Sequence, residues 1–368
     1  MTDDTDRERY FSKVNQQQIA DMLGISRTTV SRCFTNHPGI NPVTRAKVFD
    51  LASQLGYQHM EARAPARSKD VSSRRVGVLV CTDIDEYLGG AYESPGVRLY
   101  AGVSEFAQLS NIKLEIHYVN PKETSLDEPS YRKLTPLKKR DWDGVLLIYP
   151  FPRNVVDEIE RRFPMVSLVK QYGTAAINCV DVDHYEGVTA MMNKLAELGH
   201  ARIGFCTRHY EVEAQWSLRR FSAYVEKMVR WGRDLRDEDI VNVRTDRSMS
   251  LDRSFDHIAQ RARKGVTAWV CAADHQAYDL IAGLEKRGIR VPRDVSVTGF
   301  DGIRKPERAP LLTTAVIPYW EIGYTGAKRL MAIVQKRFGS PQHVLIAPRF
   351  REGETIGPAA TPRKRAAR

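Results

Sequence analysis

Short apolar runs that alternate with helical patterns constrain the fold of this chain more than any other feature of its sequence. Runs this short and this apolar are typical of strands in a parallel sheet that helices cover on both faces. Amphipathic segments lie between them, so the order β-α-β-α predicts a doubly wound α/β fold. The apolar runs are residues 76–80, 114–118, 144–149, 165–168, 203–206, 268–271 and 295–299.

The alternation is long enough for two lobes. A chain of 368 residues exceeds the size at which one core stops growing. We predict two Rossmann-like lobes within residues 75–358, the first spanning about 75–175 plus 318–338 and the second about 176–315 plus 343–358. Ligands of open parallel sheets bind beyond the carboxyl ends of the strands, so we expect a small-molecule site in a cleft between the lobes.

Residues 13–60 have a different, entirely helical pattern and predict an all-α headpiece. In QQQIADMLGISRTTVSRCF, Gly24 marks a tight turn between two helices, and Ser26 can cap the second. Asn41 and Pro42 open a third helix. The apolar positions expected to face one small core are Ile19, Met22, Leu23, Ile25, Val30, Cys33 and Phe34.

The second helix has the residues of a DNA recognition helix. Arg27 and Thr28 stand at its start and Arg32 follows one turn later, where side chains of such helices reach base edges. Thr29 and Ser31 suit phosphate oxygens. The alternative is a helical trio for protein contacts, with both arginines merely solvated. The predicted DNA-contacting residues are Ser26, Arg27, Thr28, Thr29, Ser31, Arg32, Thr44, Tyr57, Arg63 and Arg67.

The formal net charge is +11, and basic residues are densest near the two ends of the chain. Residues 1–12 read as a flexible extension, 61–74 as a hinge or linker, and 359–368 as a basic disordered tail. The sequence has no apolar stretch of the roughly 18 residues that a membrane span needs and no signal-like start. We therefore expect a cytoplasmic protein with no membrane partner. Its five scattered cysteines predict buried, reduced thiols.

Several segments, among them IADMLGISRTTVSRCF, NPVTRAKVFDLASQLGY, LAELGHARIGF and VSVTGFDG, resemble the lactose/galactose repressor family of bacterial regulators. The resemblance covers most of the chain. It implies a periplasmic-binding-protein-like sensor domain and a homodimer on a near-palindromic DNA operator. It also implies a small-molecule effector, most simply a carbohydrate, whose binding changes operator affinity.

The hinge departs from the family. Ala66 stands where a leucine is expected to wedge into the minor groove, and Pro65 removes a helical hydrogen bond. Arg63 and Arg67 can still attract the DNA backbone. We expect weaker central bending of the operator than is usual for the family.

Arg220 and Asp301 are the principal effector-binding candidates, because the resemblance places an arginine and an aspartate on the effector there. Together they can grip hydroxyl groups; the alternative is an ion pair that only ties the lobe together. Ala273 replaces a family asparagine beside Asp274, and Trp216 can form an aromatic wall or simply pack. The predicted effector-binding residues are Arg220, Asp301, Asp274, Trp216, Thr82, Asp83 and Tyr149.

Other classes of protein fit less well. The sequence has no phosphate loop, nucleophile elbow or paired-histidine metal motif, so we predict neither an enzyme nor a bound cofactor or metal. A solute-binding protein of the same fold is the alternative, but it would not need the helix-turn-helix. The helix at 97–110 carries apolar residues on more than one side and could also bury a dimer partner.

Overall fold

The structure is a computed structural model that describes residues 15–34, 37, 39–55, 74–81, 95–172, 177–208, 215–335 and 340–359. The chain divides into two compact units, Met1–Asp181 with Tyr319–Leu345 and Val182–Pro318 with Ile346–Arg368. The predicted fold class, a helical headpiece followed by two parallel α/β lobes, is confirmed. Several predictions fall outside the described residues: the 1–12 extension, nearly all of the 61–74 hinge with its bending, and the tail after residue 359.

The headpiece consists of three helices, α1 (Gln16–Leu23), α2 (Arg27–Phe34) and α3 (Pro42–Gln54). Gly24 ends α1 with a φ of 62°, a left-handed conformation that glycine adopts without strain. The Asn41 side chain accepts a hydrogen bond from the Val43 backbone at 2.8 Å, which caps α3 as predicted. The core of the headpiece is formed by Ile19, Ala20, Val30, Cys33, Val48 and Ala52.

The prediction for one headpiece core residue, Met22, is wrong. Met22 is 62% exposed, because the buried face of α1 runs through Ile19, Ala20 and Leu23. Arg45 of α3, which the sequence did not suggest as a core residue, is 1% exposed and donates to the His37 backbone carbonyl at 2.6 Å. Its long apolar stem fills space that a headpiece with so few large apolar side chains leaves open.

The first unit is built on a six-stranded sheet with the order β11-β5-β4-β3-β1-β2. The pairs from β2 to β5 are parallel, so their carboxyl ends share one edge. The strands are β1 (Arg74–Cys81), β2 (Ile112–Val119), β3 (Gly144–Ile148), β4 (Met165–Leu168), β5 (Asn178–Val182) and β11 (His343–Ile346). The helices are α4 (Pro95–Leu109), α5 (Pro129–Arg132), α6 (Thr135–Lys139), α7 (Arg153–Glu160) and α12 (Tyr319–Val334).

The second unit has the sheet order β12-β10-β9-β8-β6-β7. Its strands are parallel except β12, which lies antiparallel to β10 and was not predicted. The strands are β6 (Ile203–Cys206), β7 (Ile240–Val241), β8 (Ala268–Cys271), β9 (Ser296–Asp301), β10 (Thr313–Val316) and β12 (Arg349–Arg351). The helices are α8 (His184–Glu197), α9 (Gln215–Arg230), α10 (Leu251–Arg263) and α11 (Asp274–Glu285), with short 3-10 turns at Asp237–Asp239 and Thr245–Arg247.

Helix α4 packs closely on α12 inside the first unit. A Cβ atom on Gly102 would lie 1.9 Å from the Trp320 backbone oxygen, and one on Gly323 would lie 2.1 Å from that of Leu99. Glycine at both positions therefore lets the two backbones touch. The apolar surface of α4 that suggested a dimer contact is largely occupied by α12 and by α3 of the headpiece, although Leu109 is 71% exposed.

All five cysteines are buried and carry free thiols. Among the helices of the described ranges, none is both long enough and apolar enough to cross a membrane.

Candidate functional site

The exposed side of α2 is held in place by its own cap. The Ser26 side-chain oxygen accepts a hydrogen bond from the Thr29 backbone at 3.0 Å and lies 2.9 Å from the Thr29 hydroxyl. Val30 and Cys33 anchor the opposite side of the helix in the headpiece core. Arg27, Thr28 and Arg32 are consequently exposed on one rigid short helix, as a surface that reads DNA requires.

The other predicted DNA contacts are distributed unevenly. Ser31 and Thr44 are half-buried, and Thr44 lies in the first turn of α3. Tyr57, Arg63 and Arg67 lie outside the described residues. Most of the predicted DNA contacts that the structure describes therefore lie on or beside the capped helix α2.

A second constellation lies at the carboxyl edge of the second sheet, centred on Arg220. This side chain is 3% exposed and sits in the second turn of α9. Its guanidinium carbon lies 3.8 Å from the ring centroid of Phe300 and 4.7 Å from that of Trp216, so the planar group is held between two aromatic rings. Trp216 therefore packs against Arg220 and helps to orient its guanidinium group.

Arg220 donates hydrogen bonds in three directions. Its Nε donates to His184 Nδ1 at 3.2 Å, and its Nη1 donates to the Ala272 carbonyl and to Asp301 Oδ1 at 3.1 Å. Ala272 directly follows β8 and Asp301 ends β9. Arg220 thus connects the ends of two neighbouring strands to α8, and the ion pair that the alternative sequence interpretation named is present.

Asp301 has two unusual properties. Its φ of 139° is rare for a residue with a side chain, a conformation that occurs at functional sites when the surrounding structure enforces it. Burial, together with the nearby charge of Asp274, raises the pKa of Asp301 to about 7, although Arg220 acts in the opposite direction. A carboxyl group that titrates near neutrality can either donate or accept a hydrogen bond from a ligand hydroxyl.

Asp274 occupies a different position from the one expected of an effector contact. It is fully buried, and its Oδ2 accepts hydrogen bonds from the backbones of Gly302 and Ile303 at 2.7 and 2.9 Å. Its Oδ1 accepts from the Thr314 hydroxyl at 2.5 Å. Both oxygens are engaged inside the second unit, so the geometry favours a positioning role in which Asp274 fixes the turn after Asp301.

Polar residues that the sequence analysis missed lie beside this constellation. The Ser217 hydroxyl donates to the Thr207 hydroxyl at 2.8 Å, and the Gln276 amide donates to the same oxygen at 3.5 Å. Burial and the charges of Arg208 and Arg220 lower the pKa of His275 to about 4. The available signal was position: Thr207 follows β6, and Gln276 lies in the first turn of the helix after β8.

The remaining predicted effector residues belong to the first unit. Tyr149 directly follows β3 with a φ of 72° and is half-buried, so strand β3 is one residue shorter than predicted. Thr82 and Asp83 lie outside the described residues. Only the second unit therefore provides a described cluster of predicted effector residues.

Known proteins resemble this chain in sequence over most of its length. A family model described as a periplasmic binding protein-like domain matches residues 192–356. Catabolite control protein A of Priestia megaterium is 24% identical over 86% of this chain and 92% of its own length. The HTH-type transcriptional regulator AglR of Rhizobium meliloti is 25% identical over 94% of this chain and 95% of its own.

Solved structures agree at the level of the fold. A complex of the transcriptional regulator CelR with cellobiose aligns with a TM-score of 0.64 at 21% identity, covering 93% of this chain and 100% of that one. The lac repressor dimer bound to operator and an anti-inducer aligns with a TM-score of 0.61 at 20% identity, covering 94% and 100%.

The two relatives and the two solved structures each cover at least 86% of this chain, and at least 92% of their own length is covered in return. Over nearly its whole length the chain is similar to HTH-type transcriptional regulators, and it shares the fold of the lac repressor.

Proposed function

We propose that this protein binds a specific DNA operator through its headpiece and that a small molecule, most simply a carbohydrate, changes its operator affinity. The observation that carries the proposal is the presence on one chain of a capped recognition helix and a buried arginine-carboxylate site at the end of a parallel sheet. A solute-binding protein of the same fold would have no use for the first of these.

The DNA-binding part rests on the surface of α2. Arg27 and Arg32 are exposed there, while the core side of the helix is fixed by Val30 and Cys33. A guanidinium can donate two hydrogen bonds to guanine in the major groove, which gives sequence specificity in addition to charge. Specific binding by a helix of eight residues needs a second half-site, so we include a homodimer on a near-palindromic operator.

The sensing part rests on Arg220 and Asp301. Arg220 extends from α9 to the strand end where Asp301 lies, and both side chains can bond to hydroxyl groups. Thr207, Ser217 and Gln276 add hydroxyl and amide groups next to them. A polyhydroxylated ligand matches this mixture better than an apolar one, because every one of these side chains can donate or accept a hydrogen bond. DNA binding also requires the protein to work in the compartment that holds the chromosome, as a cytoplasmic regulator does.

The proposal can be tested by selecting bound sequences from a random duplex pool with the full-length protein. We expect one near-palindromic motif. Changing Arg27→Ala should weaken binding to that motif by about 1–3 kcal/mol, about 5- to 150-fold, and relax the preference at one position in each half-site. Arg236→Ala, an exposed and ion-paired arginine of the second unit, is the matched control and should change neither quantity. Recovery of no motif at all would refute the proposal.

A further inference from the structure

A segment of the first unit carries an unusual concentration of uncompensated positive charge. Residues 129–140 contain Arg132, Lys133, Lys138, Lys139 and Arg140 and no acidic residue. We call these five side chains the basic strip. All five are exposed, and no carboxylate in the described part of the chain forms an ion pair with them.

The strip is held on the surface by buried anchors. Tyr131, Leu134 and Leu137, at every third position, are 0%, 5% and 1% exposed and belong to the core of the first unit. This spacing directs the basic side chains between them to the outside. Their location is therefore set by the fold, unlike that of charges in a loose loop.

Several exposed arginines elsewhere in the described residues are neutralised at short range. Arg153 pairs with Asp157 at 2.7 Å, and Arg244 pairs with Asp246 at 3.0 Å. The basic strip lacks such partners although it is the densest run of cations in the described residues. Unpaired exposed cations on a rigid surface fit a polyanion supplied from outside the chain.

The strip ends at the edge of the sheet where the chain arrives from the headpiece. Arg140 lies three residues before Asp143, within about 11 Å along the chain. The Asp143 backbone donates to the Arg75 carbonyl at 2.8 Å, and its carboxylate accepts from the Arg75 backbone at 2.7 Å. Arg75 is the second residue of β1, the first strand after the headpiece.

The headpiece itself contacts the same edge. Arg45 of α3 donates to Gln108 Oε1 at 3.2 Å. Gln108 lies four residues before Ile112, which pairs in register with Arg74 at the start of β1. The headpiece, through α3, and the end of the strip therefore both lie near the start of β1.

From this placement we infer that the basic strip is a second, sequence-independent contact with the DNA phosphate backbone, made by the sensor domain next to the headpiece. The inference rests on the proposed DNA-binding function. The strip adds electrostatic affinity through released counterions and reads no bases, because flexible lysines match phosphates as point charges.

The salt dependence of binding measures such contacts directly. The probe is a mixed-sequence 40-bp duplex, followed by fluorescence anisotropy over a range of salt concentrations. The test variant combines Lys138→Ser, Lys139→Ser and Arg140→Asn; asparagine suits the left-handed φ of 57° at position 140. The control removes the same charge from the second unit through Arg236→Ser, Arg244→Ser and Arg290→Ser, which are exposed and ion-paired.

We expect the slope of log K against log salt to shrink by about 0.9 for each lost contact, about 2 to 3 for each protomer of the test variant and about twice that for the dimer. Affinity near 0.1 M salt should fall by about 10-fold or more. The control should keep the wild-type slope, and urea unfolding should confirm that both variants are folded. A test variant with the wild-type slope would overturn the strip alone, leaving the headpiece proposal intact. If the wild-type protein binds no duplex, both proposals fail.

Discussion

Two largely buried aspartates of the second unit, Asp239 and Asp301, each pair with an arginine, but their charges are neutralised to different degrees. Arg261 Nε lies 2.7 Å from Asp239 Oδ1, and Arg202 Nη2 lies 3.1 Å from the other oxygen of the same carboxylate. Asp239 thus has an arginine on each oxygen. Asp301 has one arginine, Arg220, and a second carboxylate, Asp274, close enough to raise its pKa.

The difference separates a structural pair from one suited to binding. In the Asp239 cluster the hydrogen bond to Asp239 raises the pKa of Arg261, as expected when opposite charges stabilise each other. In the Asp301 pair, burial and like charge oppose ionisation, so the carboxyl group titrates near neutrality. Perturbed groups of this kind concentrate at functional sites, whereas fully matched pairs occur throughout a fold.

Removing Arg261 should produce the largest effect. Arg261→Ala leaves a buried carboxylate with one partner, and we expect the free energy of unfolding to fall by about 3 kcal/mol. Urea unfolding followed by circular dichroism measures this loss. Arg263→Ala, two residues later at the end of the same helix, is the control, and it removes only an exposed hydrogen bond to the Arg287 carbonyl. A loss under about 1 kcal/mol would show that Asp239 does not need its second arginine.

Removing Arg220 should act on binding more than on stability. Screening carbohydrates for an increase in thermal midpoint would first identify a ligand. Arg220→Lys should then weaken binding of that ligand by about 2–3 kcal/mol, because it removes the planar fork of a charged hydrogen-bonding group. Stability should fall less than in Arg261→Ala. Unchanged ligand affinity would leave the lobe-tying ion pair as the sole role of Arg220.

The pH dependence of stability should carry the signature of Asp301. Its folded-state pKa of about 7 lies above that of an unfolded aspartate, so the folded protein holds more protons between about pH 4 and 7. This group therefore contributes stability below that window, and the contribution disappears as pH rises through 7. Between pH 5.5 and 7 we expect a loss of about 2 kcal/mol in wild type relative to Asp301→Asn.

The comparison with Asp301→Asn is necessary because His275 acts in the opposite direction. Its lowered pKa, about 4, means that the unfolded state binds more protons, so its contribution increases with pH from about 4 to 6.5. Both proteins retain His275, so the difference between them reports on Asp301 together with its electrostatic interaction with Asp274. Parallel stability curves for the two proteins would contradict the raised pKa.

The smallest expected effect concerns the support of the site. Thr314→Val removes the hydroxyl that donates to Asp274 Oδ1, and we expect a loss of about 1.5 kcal/mol in unfolding free energy. Because Asp274 also holds the Gly302 and Ile303 backbones, ligand affinity should fall as well. Thr313→Val, one residue earlier on β10, is the control for loss of a buried threonine hydroxyl. That hydroxyl accepts a hydrogen bond from the Gly353 backbone instead of donating to Asp274. Normal ligand affinity in Thr314→Val would argue against a positioning role for Asp274.

Much of the fold follows from local pattern. All seven apolar runs appear as strands at nearly the predicted bounds, and the Ser26 and Asn41 caps form as expected. Strands β5, β7 and β10 to β12 were not predicted. These strands are short and all but β7 contain polar residues, so they lack a clear apolar pattern. They form because they pair with strands that are distant in sequence.

The site was only partly readable in the same way. Arg220, Asp301 and Trp216 do come together. The sequence signals were that Asp301 follows an apolar run and that Trp216 lies one helical turn before Arg220. Asp274 looked equivalent in sequence, yet its neighbours enclose both of its oxygens. Met22 likewise has the character of a core residue and lies in solvent.

The sequence by itself determined the alternation of strands and helices, the capped headpiece and the residues available for binding, because these depend on contacts within a few positions. The tertiary structure alone decided which acidic residue is matched by two arginines, which is left titratable near neutrality and which is closed off inside the lobe. The physical reason is that desolvation and Coulomb interaction depend on distances between strand ends that lie many residues apart along the chain.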